Sequence, residues 1–218
     1  MTLRRIGWAA LAPLVVACTA PPRLTTPTPI PTSTEGLVAA IATDAQRSER
    51  ETDASVRGEL AAEASRDADA CVSREPQAAA CLYGRAVALG LEARAHPTRA
   101  GELLNKMLGD LAGAEAADPD YDQAGPARVR ALVLIRAPGW PLGPGDADAG
   151  LAAARRAVTL RPQYPPNLLA LAEALAKTGD ADGARENYAR ARDAAQTLPA
   201  AADRDDWLRQ ADQGLQRK

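Results

Sequence analysis

The tetrapeptide Gly145-Asp146-Ala147-Asp148 recurs as Gly179-Asp180-Ala181-Asp182, a shift of 34 residues. At the same shift Leu134 falls on Leu168, Gly150 on Ala184, Ala154 on Tyr188 and Ala157 on Ala191. A unit of that length is one supersecondary element. It cannot bury an apolar face alone, so it must stack on copies of itself. The unit is helical: Leu168, Leu171, Ala172 and Leu175 follow helical spacing, and no segment sustains the period-two alternation of a strand. Small side chains at Ala172, Ala184 and Ala191 mark where two backbones approach, while Leu168, Leu171, Leu175 and Tyr188 supply the bulk around them. Gly179 ends one helix, and Asp180 can accept from the free N–H groups at the start of the next.

A 34-residue pair of antiparallel helices with small residues at the crossing resembles the tetratricopeptide repeat (TPR). The resemblance is closest over residues 146–194 and looser upstream, with the clearest repeats at 131–164 and 165–198. It implies an all-α solenoid. Helices are expected at 35–50, 53–73, 77–95, 98–117, 125–137, 146–160, 165–178 and 181–197. A final helix at about 202–216, carrying Trp207, Leu208 and Leu215, should cap the open end of the stack. The helices between 77 and 117 are longer than those of a TPR and fit the period badly.

One place breaks the repeat. Pro138 and Pro141 stand where the next unit has Ala172 and Leu175, so the helix from Gly125 must end near Ala137. A stiff loop, Pro138-Gly139-Trp140-Pro141-Leu142-Gly143-Pro144-Gly145, follows, yet the register resumes intact at Gly145. Trp140 either plugs the gap left by the missing turn or offers a binding face.

The N-terminus reads as an address. Arg4 and Arg5 precede an apolar stretch, Ile6 to Val16, that is too short to span a bilayer and has the length of a signal-peptide core. Val15-Val16-Ala17-Cys18 then resembles a bacterial lipobox, which implies removal of residues 1–17 and acylation of Cys18. Several acyl chains, at about 0.8 kcal/mol per buried CH₂, would hold the chain on a membrane. Thr19 in place of an Asp implies the periplasmic face of the outer membrane. Residues 18–34 form a tether rich in Pro and Thr, with Pro21, Pro22, Pro27, Pro29 and Pro31, and polyproline II geometry gives it a reach of roughly 50 Å. Residues 35–218 are the helical domain.

Removing residues 1–17 takes away two arginines and no acid, so the net charge goes from −2 to −4. A mildly acidic body with scattered charges argues against nucleic acid or anionic lipid as a partner. With Cys18 acylated, two cysteines remain in an oxidising compartment. Cys71 and Cys81 flank one expected turn, and a disulfide between them would be worth roughly 3 kcal/mol; two small buried thiols are the alternative.

No catalytic chemistry emerges. His96, the only histidine, precedes a proline in an expected turn and cannot build a zinc site alone. There is no nucleophile elbow and no phosphate-binding glycine loop. The carboxylates sit among arginines on solvated faces, so no metal or other cofactor is expected. What remains is a shaped surface, since solenoids offer a concave groove to peptides. Trp140, Tyr83, Tyr121 and Tyr164 are candidate contact aromatics, though tyrosines at helical spacing also serve as core.

The segments Arg136-Ala137-Pro138-Gly139-Trp140-Pro141, Gly145-Asp146 and Tyr164-Pro165-Pro166-Asn167, with the compatible Cys81-Leu82-Tyr83-Gly84 upstream, resemble the TatT proteins. These are TPR-like lipoproteins associated with tripartite ATP-independent periplasmic (TRAP) transporters. The resemblance covers most of the body, through short and largely structural motifs. It implies a non-enzymatic periplasmic protein that binds the transporter's solute-binding subunit and helps present a small hydrophobic ligand. Trp140, Tyr83, Tyr164 and Asn167 are the candidate partner and ligand contacts. Its relatives are trimeric, so a homo-oligomer is a further expectation. The alternative is a TPR lipoprotein scaffold that assembles an envelope complex, such as a pilotin for a secretin or pilus machine.

Overall fold

The computed structural model describes residues 30–217. Cys18, residues 1–17 and most of the 18–34 tether lie outside the described residues. The described chain is all-α. In order it forms α1 (Thr34–Arg50), α2 (Ala54–Arg74), α3 (Ala79–Ala95), a short 3₁₀ turn (Pro97–Arg99), α4 (Ala100–Ala117), α5 (Tyr121–Arg136), α6 (Ala147–Leu160), α7 (Pro165–Lys177), α8 (Ala181–Gln196) and α9 (Ala202–Gln216). Each helix packs on its neighbour in sequence. Beyond that, the backbones of odd-numbered helices approach one another and those of even-numbered helices do not, although the Arg156 side chain of α6 reaches Glu115 of α4. α1, α3, α5, α7 and α9 are therefore the inner layer of a solenoid, and the even helices are its outer layer.

Local signals place the ends of the repeat helices. The Asp146 side chain accepts from Ala149 N–H at 3.0 Å, and Asp180 accepts from Gly183 N–H at 2.9 Å. The recurring Gly-Asp is thus a recurring cap. Gly179 sits at φ +91°, a left-handed conformation that glycine adopts without steric cost. At the close crossings Ala172 is fully buried, and Ala184 and Ala191 are nearly so, with Tyr188 packed beside them. In α9, Ala211 is buried, and Trp207 and Leu215 pack against the same cluster, closing the end of the stack.

The two ends of the stack differ in packing. From α5 onward one large core cluster runs through Ile135, Leu168, Leu175 and Tyr188 to Ala211, with a small one at Ala124, Ala127 and Ala157 beside it. In α1–α4 the core is broken into small clusters around Ile41, Leu37 and Leu111. Cross-links supplement packing there. Cys71 and Cys81 are disulfide-bonded, with Cα atoms 5.3 Å apart, and Leu37 packs on the bridge. Arg85 in α3 holds Asp110 in α4 through two hydrogen bonds, Nε at 2.8 Å and Nη2 at 2.6 Å.

Among the described residues no helix is long and apolar enough to cross a membrane, and no three His, Cys, Asp or Glu side chains gather where they could hold a metal.

Candidate functional site

The start of α5 is the least regular backbone in the described chain. The sequence predicts a helix from Gly125, and a right-handed one does begin there, with Pro126 buried in its first turn where no N–H is needed. Ahead of it, Asp122, Gln123 and Ala124 all have positive φ, at 48°, 57° and 63°. None is a glycine, so one turn of the chain is wound left-handed, at a cost on the order of 1–2 kcal/mol per residue.

Arg128 and Asn167 hold that turn. Arg128 Nη1 donates to the carbonyls of Asp122 and Gln123, each at 3.1 Å, and to Asn167 Oδ1 at 3.1 Å. Its Nη2 donates to Asp122 Oδ2 at 2.7 Å. Asn167 Nδ2 donates to the carbonyls of Gln123 and Ala157 at 3.1 Å and of Arg161 at 3.3 Å. Asn167 is 0% exposed. Its side chain therefore does not reach a partner, and the expectation that it is a contact residue gives way to a supporting role.

Tyr83 and Tyr164 belong to the same network. Tyr83 Oη donates to Asp122 Oδ2 at 2.8 Å, and its ring meets Tyr121 edge-on at 5.4 Å. Arg128 lies over the Tyr164 ring at 5.3 Å, and that ring meets Trp207 edge-on at 5.7 Å. The contacts thus run from α3 through α5 and α7 to α9. Burial pushes the Tyr83 hydroxyl well above the usual tyrosine range; Arg128 opposes the rise and Asp122 reinforces it. Burial also raises Tyr164 and Tyr121. The phenols accordingly keep their protons, and Tyr83 remains a donor. Sequence reasoning brings Tyr83, Tyr164 and Asn167 forward as contacts but misses Asp122 and Arg128. Arg128 and Asp122 are near neighbours in sequence, but the contacts with Tyr83, Asn167 and Tyr164 that draw them into the site come from distant parts of the chain.

Trp140 stands elsewhere. It is 91% exposed, and Leu142 beside it is 77% exposed. Of the two roles open to it, plugging the helix gap is excluded. The gap is closed by backbone instead: Gly145 N–H donates to Pro138 O, and Asp146 N–H to Leu134 O, both at 2.9 Å. A Cβ on Gly145 would collide with the Ala137 carbonyl oxygen, so only glycine fits this crossing.

Two adjoining clefts open on the inner layer. One, of about 770 Å³, lies between α3, α4 and α5 and is floored by Val87, Leu91, Leu104, Val129 and Val133. Pro138 of the proline loop lines its edge. The other, of about 340 Å³, lies between α5, α7 and α9 and is more polar, with Glu173, Gln210, Gln213 and Arg217. Leu132 and Arg136 of α5 line both, so the clefts form one groove. At the divide Arg136 pairs with Glu173 through Nε at 2.8 Å and Nη2 at 2.7 Å.

An inner layer of parallel helices facing a groove, backed by an outer layer, defines an all-α, TPR-like solenoid. Among solved structures, a thermophilic TPR protein of Thermus thermophilus is similar at 22% identity and a TM-score of 0.53, over 81% of this chain and 91% of that one. At this identity the likeness speaks to fold alone. No protein-family model matches the chain, and no curated protein matches its sequence.

Proposed function

We propose that this protein is a lipid-anchored, non-enzymatic accessory component of a TRAP-type solute transport system, resembling TatT, that binds the solute-binding subunit on its concave face. The observation that carries the reading is the groove: two adjoining clefts on the inner helices, apolar at one end, with the Pro138–Gly145 loop at its edge. An exposed Trp on a stiff Pro/Gly loop is the kind of side chain that anchors interfaces, so Trp140 is a second contact beside the groove. The lipobox-like Cys18 supports anchoring at the periplasmic face of the outer membrane. A disulfide between Cys71 and Cys81 suits that compartment.

The test is capture of purified solute-binding subunits of the same genome by the immobilised protein. One of them is expected to bind, and Trp140→Ala is expected to weaken binding by about 2 kcal/mol while leaving the melt unchanged. Capture of secretin or pilus subunits instead would replace the transport reading. Separately, Cys18→Ala is expected to abolish palmitate labelling and to release the protein from membranes; continued labelling would remove the anchor.

A further inference from the structure

The groove is also informative about the chemistry of what it binds, given that the concave face is the binding face. Its two clefts are lined by Arg94, Arg128, Arg136 and Arg217 against only Glu49 and Glu173. The whole chain has 26 basic and 28 acidic residues, so this two-to-one excess of arginine is local to the groove.

The four arginines are not equally committed. Arg128 is taken up by the left-handed turn and Asp122. Arg136 uses Nε and Nη2 on Glu173, which leaves Nη1 with no partner among the described residues. Arg94 and Arg217 form no side-chain hydrogen bond or salt bridge among the described residues. Uncommitted guanidinium groups therefore flank an apolar floor, with Arg94 at the larger cleft and Arg217 at the smaller one. Arg136 sits between them at the divide, where Leu132 is shared by both.

We propose that the groove takes an acidic amphipathic peptide segment. Its large apolar side chains enter the cleft between α3, α4 and α5, and its carboxylates lie against Arg136 and Arg217. Guanidinium groups match a carboxylate in both charge and planar shape. The apolar floor supplies affinity, and the arginines set polarity and on-rate. Leu132 and Arg136 line both clefts, so one continuous segment can engage both.

A displayed library of random short peptides, selected on the purified protein, tests this, followed by fluorescence anisotropy with the synthesised winners. Enriched peptides should combine large apolar residues with Asp or Glu. Their binding should weaken at least tenfold in an Arg136→Ala/Arg217→Ala double variant and fall steeply with added salt. Leu132→Asp should abolish binding, and Leu132→Ala should weaken it even if the aspartate variant folds poorly. A C-terminal amide on the same peptide shows whether the main-chain or a side-chain carboxylate is read. Basic peptides that still depend on Leu132 would overturn the acidic partner and leave the concave-face reading standing. Peptides that bind regardless of both Leu132 and the arginines would overturn both. A library that yields no binder, while a fluorescent fatty acid fills the apolar cleft, would overturn the peptide in favour of a lipid-like occupant.

Discussion

The left-handed turn at Asp122–Ala124 and the proline loop at Pro138–Gly145 flank the same inner helix, and they are stabilised in opposite ways. The turn is strained locally and held by side chains of its own helix and of α7. A buried arginine and a fully buried asparagine on another helix supply the hydrogen bonds that offset the cost of its backbone. The loop takes its stiffness from its own prolines, bonds mainly to itself and the end of α5, and turns Trp140 and Leu142 to solvent. The contrast teaches where function can sit. A segment held by the core cannot change without moving the stack, whereas a self-supporting loop can present a side chain at little cost to the fold.

Arg128→Ala should be the most damaging change at either place. It leaves the Asp122 carbonyl without its side-chain donor, takes one of two donors from the Gln123 carbonyl and the Asp122 carboxylate, and should cost about 3 kcal/mol in urea unfolding. Arg128→Lys should not restore stability, because an ammonium cannot reproduce the fork that reaches the turn, Asp122 and Asn167 together. Asn167→Ala should cost about 2–3 kcal/mol, since three buried carbonyls lose a shared donor. Both residues serve one turn, so the double variant should be less destabilised than the sum of the two by about 1 kcal/mol or more. Additive losses would mean that the turn is not held as a unit.

At the loop, only the base should be sensitive. Gly145→Ala places a methyl group against the Ala137 carbonyl and should cost about 1–3 kcal/mol by thermal melt. A neutral result would show that the crossing can open. Alkaline titration probes the turn more gently. Tyr83 is raised above its unfolded value, so the folded state keeps a proton that the unfolded chain loses above about pH 10. Stability should therefore be fully present below that pH and fall as pH rises through it. Tyr83→Phe should flatten the decline without abolishing it, because Tyr121, Tyr164 and Tyr188 are shifted upward as well. The smallest effect belongs to the loop tip: Trp140→Ala should change stability by no more than about 0.5 kcal/mol. A large loss there would erase the contrast between the two segments.

Most of the architecture is legible in the chain itself. The repeat of Gly-Asp, the alanines at the crossings and the prolines after Ala137 are local instructions, acting on residues a turn or so away through capping, spacing and fixed φ. Such terms operate before any tertiary contact forms, so they determined the helices, their period, the place where the period is interrupted and the closing helix. Trp207 reads as part of that closing helix, but nothing local announces its contact with Tyr164. The candidate site is legible only as a set of residues. Nothing in Asp122-Gln123-Ala124 asks for a left-handed turn, and its handedness rests on hydrogen bonds from Arg128 and from Asn167, which lies 44 residues beyond Gln123. The Asn167 bonds exist only after α5 and α7 pack. Tertiary structure therefore decided which way the turn winds, that Tyr83, Tyr164 and Asn167 meet around it, and that Trp140 faces solvent. Local sequence determines what each helix does alone, and only packing brings distant donors to a backbone that has no local reason to bend toward them.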